Sequence, residues 1–144
     1  MNTQPSAAQR AATESLEKRL VALAREHQSL MRDLIQVIDY LDGWLRAVSD
    51  TERGRVDHLR LRLLKLMIAY GVRPTAHPGA RLDLRYHEVV ELAPVADVAP
   101  DTIIDIVQMG YEMLAPGFDP TPLRQAKVTV ATAQSSTKPE GGAA

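Results

Sequence analysis

The chain has 144 residues, 45% of them hydrophobic but only 4% aromatic, with a net charge of −1 and no cysteine. That length holds one ordinary domain or two small ones. The lack of cysteine excludes disulfides, a redox thiol and a Cys-based zinc site, and the near-neutral charge argues against a global attraction to nucleic acid or membrane.

The N-terminal stretch MNTQPSAAQRAATESLEKR lacks the apolar segment of a secretion signal. No run of about eighteen apolar residues occurs, so a cytoplasmic location without membrane insertion is expected. Residues 1–12 and 132–144 are small and polar and read as disordered tails. Between them lie a helical region, 13–70, and a small β-domain, 71–131.

The first predicted element is a long helix. Leu16, Leu20, Leu23, His27, Leu30, Leu34, Val37, Leu41, Trp44 and Val48 follow steps of 4 and 3 without a break. This is the a/d pattern of a coiled coil. Ala24, Met31, Ile38 and Leu45 widen the stripe, as a helical bundle requires. His27 on the seam reads as a tolerated polar residue that fixes register, rather than a ligand.

SDTERGR, 49–55, reads as a turn, with Ser49 or Asp50 as N-cap. A second helix is predicted from Thr51 or Arg55 to Tyr70, stopped by Gly71. Val56, Leu59, Leu63, Leu66 and Tyr70 line one face, and Leu61, Leu64 and Ile68 nearly the opposite one. A helix apolar on two sides needs partners on both, so a homodimer forming a four-helix bundle is expected. The dimer contacts would come from Leu30, Leu34, Val37, Ile38, Leu41, Trp44 and Leu45, with Leu59, Leu63 and Leu66. Leu41→Asp should then break the dimer. Arg60, Arg62 and Lys65 are spread around the helical wheel, which disfavours a membrane-surface helix.

After Gly71 the period changes. Eight of the nine prolines lie from Pro74 onward, a density that forbids long helices. β-prone stretches appear at 87–92, 102–114 and 127–131, the last alternating with Val128 and Val130 on one face. Ala99-Pro100-Asp101 reads as a turn. The fold class is therefore α+β, a coiled-coil and bundle region followed by a small β-sheet domain.

YGVRPTAHPGARLDLRYHEVV, 70–90, gathers two histidines with Asp83 and Glu88. Asp83 and His87 are four apart, but Pro78 and Gly79 oppose a helix there, and no repeated His or Cys spacing supplies further ligands. No Walker loop, GxSxG, HExxH or glycine-rich dinucleotide motif occurs. Basic residues interleaved with aromatics, as in single-strand binders, are missing too. Neither a metal, a cofactor nor a catalytic nucleophile is indicated, and an enzyme finds no support.

The order of elements resembles GrpE, the nucleotide exchange factor of DnaK-type chaperones. The resemblance covers about residues 30–131. GVRPTAHPGARLDLRYHEVV, 71–90, is similar to a family run through Gly71, Val72, Gly79, Asp83, His87 and Glu88. VAPDTIIDIVQMGY, 98–111, matches at Pro100, Gln108, Gly110 and Tyr111, and LRQAKVTVA, 123–131, at Arg124 and Ala126. DLIQVIDYLD, 33–42, resembles a family stretch of the long helix. The resemblance implies a homodimer that presents a β-module to the chaperone's nucleotide-binding domain, opens its cleft and releases ADP. It assigns partner contact to Gly79, Asp83, His87, Glu88, Gly110, Tyr111 and Arg124. It also makes 70–90 a junction, with His87 and Glu88 orienting a loop by hydrogen bonds.

Four features depart from the family. The N-terminal helix is much shorter than its usual stalk. Only Arg10 is basic where an Asn and Arg cluster would fall, between Gln9 and Ser15. Arg55 stands where a glycine opens the second helix. The turn between Tyr111 and Arg124 is longer and lacks its arginine, so the 115–122 loop is either a plain hairpin tip or a new contact surface. These departures leave a second reading open, a dimeric GrpE-like paralogue serving as a scaffold or adaptor.

Overall fold

The computed structural model describes residues 3–115 and 119–133. The chain divides into two compact units, Met1–Tyr70 and Gly71–Ala144. The first holds helices α1 (Ala7–Ala47) and α2 (Asp50–Ala69). The second holds strands β1 (Val72–Pro74), β2 (His87–Pro94), β3 (Ile103–Gln108), β4 (Tyr111–Met113), β5 (Thr121–Arg124) and β6 (Ala126–Thr132).

Helix α1 begins at Ala7, so residues 7–12 are helical and not the disordered tail their composition suggests. The cause is local. Ser6 Oγ accepts from the Gln9 backbone N–H at 3.2 Å, and the Ser6 N–H donates to Gln9 Oε1 at 2.8 Å. This reciprocal capping box satisfies donors that an uncapped helix start leaves open. Thr132 at the other end belongs to β6; the rest of the expected C-terminal tail, 134–144, lies outside the described residues.

The two helices bury Met31, Ile35, Ile38 and Leu41 on α1, and Val56 and Met67 on α2. Two contacts set their antiparallel register. Arg60 pairs with Asp42, both side chains largely covered, and His27 Nε2 lies 3.2 Å from the Tyr70 carbonyl. Tyr70 is the C-cap of α2. Gly71 follows at φ +91°, the left-handed turn that ends helices and that glycine takes without strain. A Cβ there would sit 2.5 Å from the Leu114 carbonyl oxygen, so the position admits no side chain.

The second unit builds two three-stranded sheets, ordered β1-β4-β5 and β2-β6-β3. In the second sheet β6 runs parallel to β2 and antiparallel to β3. Ala126, Val128 and Val130 of this central strand pack with Ile103 and Ala76 in the core. The stretch 102–114 is not one strand. It breaks after Gln108, and β3 and β4 belong to different sheets. Gly110 permits the crossing: a Cβ there would meet the Ala126 nitrogen at 2.3 Å and Thr75 Oγ1 at 2.7 Å. A turn precedes β3, and Asp97 and Asp101 take left-handed conformations at φ 62° and 63°, which Asp tolerates better than most residues.

Candidate functional site

The loop between β1 and β2 is tied down by a series of hydrogen bonds. The Asp83 side chain accepts from the Arg85 N–H at 2.9 Å, closing a tight turn. The Asp83 carbonyl then accepts from Tyr86 and His87. His87, 5% exposed, uses both ring nitrogens. Its Nδ1 accepts from the Asp83 N–H at 2.9 Å, and its Nε2 lies 2.7 Å from the Thr75 carbonyl. The first bond requires an unprotonated Nδ1, so Nε2 carries the hydrogen and donates to Thr75. With both nitrogens committed to backbone, His87 has no lone pair to offer a metal. Among the described residues, no three His, Cys, Asp or Glu side chains converge as a metal site would need.

From His87 the network continues. The Thr75 N–H donates to the Gly110 carbonyl at 3.1 Å, and the Ala126 N–H to the Tyr86 carbonyl at 2.8 Å. The Arg124 guanidinium donates to the Met109 carbonyl from Nε at 3.1 Å and lies 5.8 Å from the centre of the buried Tyr111 ring. The Gly79 N–H, at φ +87°, donates to Ile103 at 2.8 Å. Thus Asp83, His87, Gly110, Tyr111 and Arg124 are brought together by backbone-directed bonds and close packing, while Gly79 is tied separately to Ile103. His87, Gly110 and Tyr111 are buried, so they shape the surface without forming it. Gly79, Asp83 and Glu88 are exposed. Glu88 stands on β2 opposite Lys127 and is exposed, unlike its buried neighbour His87.

A second cluster had no counterpart in the sequence reading. Glu112 on β4 is 1% exposed, directly across from Arg73 on β1. Arg73 Nε donates to Glu112 Oε1 at 2.8 Å, and Nη2 reaches the same oxygen. Glu112 Oε2 has no hydrogen-bond partner among the described residues. Desolvation, and after it the nearby Glu112 carboxylate, holds the Tyr86 phenol above its ordinary pKa. The available signal was the opposite charge of Arg73 and Glu112. It was illegible because three-residue β1 carries too little pattern to be read as a strand.

In the helical unit the residues expected at a dimer contact separate into three groups. Ile38 and Leu41 are already buried within one chain, and Leu34, Leu45 and Leu63 are half-buried. Leu30, Val37 and Trp44 on α1, and Leu59 and Leu66 on α2, are exposed. Both exposed sets are displaced in the same rotational sense from the buried stripe of their helix. In an antiparallel pair this places them on one side of the hairpin. Ile35 and Met67, both enclosed, were missed because Ile35 lies beyond the Met31–Ile38 stripe and Met67 between the two apolar faces of α2.

The family model described as GrpE matches residues 7–132 of this sequence, through both units. The chain belongs to the GrpE family. Protein GrpE of Chlorobium luteolum is 28% identical to it over 121 residues, covering 78% of this chain and 59% of that protein. Protein GrpE of Dichelobacter nodosus is 30% identical over 115 residues, covering 72% and 62%. That of Thermotoga maritima is 30% identical over 118 residues, covering 75% and 65%. The chain thus spans less than two thirds of the length of these GrpE relatives. No helix among its described residues is long and apolar enough to cross a membrane.

Proposed function

We propose that this GrpE-family chain is a homodimeric co-chaperone that promotes ADP release from a DnaK-type chaperone ATPase in the cytoplasm. The observation that carries this reading is a family match that extends from the first turn of α1 to the end of β6. The role needs no catalytic residue, cofactor or metal. It needs a rigid surface that binds one conformation of the chaperone better than another.

The bonded loop and sheets of the β unit suit that requirement. A binder shifts a conformational equilibrium only by its difference in affinity for the two states. A β unit that favours the open cleft lowers ADP affinity, and by linkage ADP lowers affinity for the β unit by the same factor. The exposed Gly79, Asp83 and Glu88 are the contact candidates. His87, Gly110, Tyr111 and Arg124 hold them in place. In the helical unit, Leu30, Val37, Trp44, Leu59 and Leu66 form the face that a second copy covers, giving a four-helix bundle.

The test is the release rate of a fluorescent ADP analogue from the host's DnaK-type chaperone, with and without this chain. A large acceleration that saturates with concentration is expected. A folded dimer that leaves the rate unchanged would overturn the exchange role and favour a scaffold or adaptor.

A further inference from the structure

We propose that the outer face of α2 is a docking surface for an acidic helical segment of another protein. Arg55, Arg62 and Lys65, with His58 between them, recur at steps of 3 and 4 and so share one face of the helix. All four are exposed, and no ion pair engages Arg55, Arg62 or Lys65 among the described residues. In the sequence this row is masked by Arg60. Arg60 turns inward to Asp42 and Arg53 lies beside Asp50 on another face, which leaves Arg55, Arg62 and Lys65 with His58 as the line.

Leu61 and Ile68, three or four residues from His58 and Lys65 on the flank of the row, remain 42% and 50% exposed. They lie on the side of the hairpin away from Leu30, Val37 and Trp44, so the proposed dimer face leaves them uncovered. On that side α1 offers Arg32, Asp39 and Gly43 rather than apolar side chains.

Charge complementarity selects an acidic partner. A nucleic acid would leave Leu61 and Ile68 unmatched and would find no aromatic ring in the row for its bases to stack on. A membrane-surface helix needs a broad apolar face to bury, and two aliphatic side chains on one margin do not supply it. A helix with carboxylates along one row and aliphatic side chains next to them matches both features.

The test titrates the full chain into a labelled helical peptide with Glu at i, i+3, i+7 and i+10 and Leu along one margin. The control peptide has Gln for each Glu. The Glu peptide is expected to bind about tenfold more tightly or better, and to weaken with added salt. The triple reversal R55E/R62E/K65E should lower its affinity about tenfold, and Leu61→Ala about threefold. Circular dichroism and sedimentation confirm that both variants keep fold and oligomeric state. Equal affinity for the two peptides, or an unchanged affinity in the charge-reversed chain, would overturn the proposal. So would preferential capture of the wild-type chain by phosphatidylglycerol vesicles.

Discussion

In the β unit, Ile103, Ala126, Val128 and Val130 are shut off from water by segments of that same unit, whereas in the helical unit Leu16, Leu23, Leu30 and Val37, just as apolar, stand on the surface. The difference is one of completeness, not of composition. Two small sheets fold their apolar faces inward over a short contour. A two-helix hairpin has one internal seam, and every further apolar stripe must find another chain. The β unit should therefore melt independently of concentration. The helical unit, under the dimer reading, should gain stability as concentration rises.

The strongest way to break this comparison is at Gly110. Gly110→Val places a side chain against the Ala126 backbone and should destabilise the β unit by about 3 kcal/mol, seen in denaturant melts. Far-UV circular dichroism should show the helices intact. Leu66→Asp should have the complementary effect. A charge on the exposed flank should weaken the dimer by about 100-fold, roughly 2.7 kcal/mol, in sedimentation, leaving the β unit's melt unmoved. Leu41→Asp is not an equivalent probe. Leu41 is buried in one chain, so its replacement attacks the hairpin itself.

A smaller effect is expected at His87. His87→Ala strands the Thr75 carbonyl and the Asp83 N–H, at a cost of about 2 kcal/mol to the β unit, and should slow ADP release by loosening the loop that carries Asp83. An unchanged melt would show that the loop is held elsewhere. The smallest effect concerns Tyr86. Its pKa is raised above 10.0, so the fold favours the neutral phenol. That contribution is fully present below pH 10 and is lost as pH climbs through the raised value. Tyr86→Phe should flatten the alkaline limb of the β unit's stability profile; an identical limb would remove Glu112 and desolvation as its cause.

Much of the helical unit could be read in advance because a 3.6-residue period repeats over many turns and announces itself. The start of α1 could also have been read: Ser6 and Gln9 stand at capping-box spacing, a signal overridden by the small polar composition around it. Ile35 and Met67 were harder to find. A heptad count cannot distinguish the stripe a helix shows to its own neighbour from the one it shows to another chain. In the β unit, Val128 and Val130 were legible by alternation. The short strands β1 and β5 were not, since three or four residues hold no period and their pairing depends on β4, distant from β1 in sequence. The motif around His87 marked the right loop but not the division of labour within it. Burial of His87, Gly110 and Tyr111, against exposure of Gly79, Asp83 and Glu88, emerges only in the folded β unit.

Helix α1 runs for 41 residues and α2 for 20, about 60 Å against about 30 Å at the rise of an α-helix. The turn and the His27–Tyr70 contact match α2 to the C-terminal half of α1. Among the described residues, those before His27 have no helical mate in their own chain, and an isolated helix of that length is marginal in water. Its amides should exchange with deuterium well before those around Ile38. Assembly and fraying would then share one front, zipping from His27 towards the Ser6 cap and opening from the cap inward.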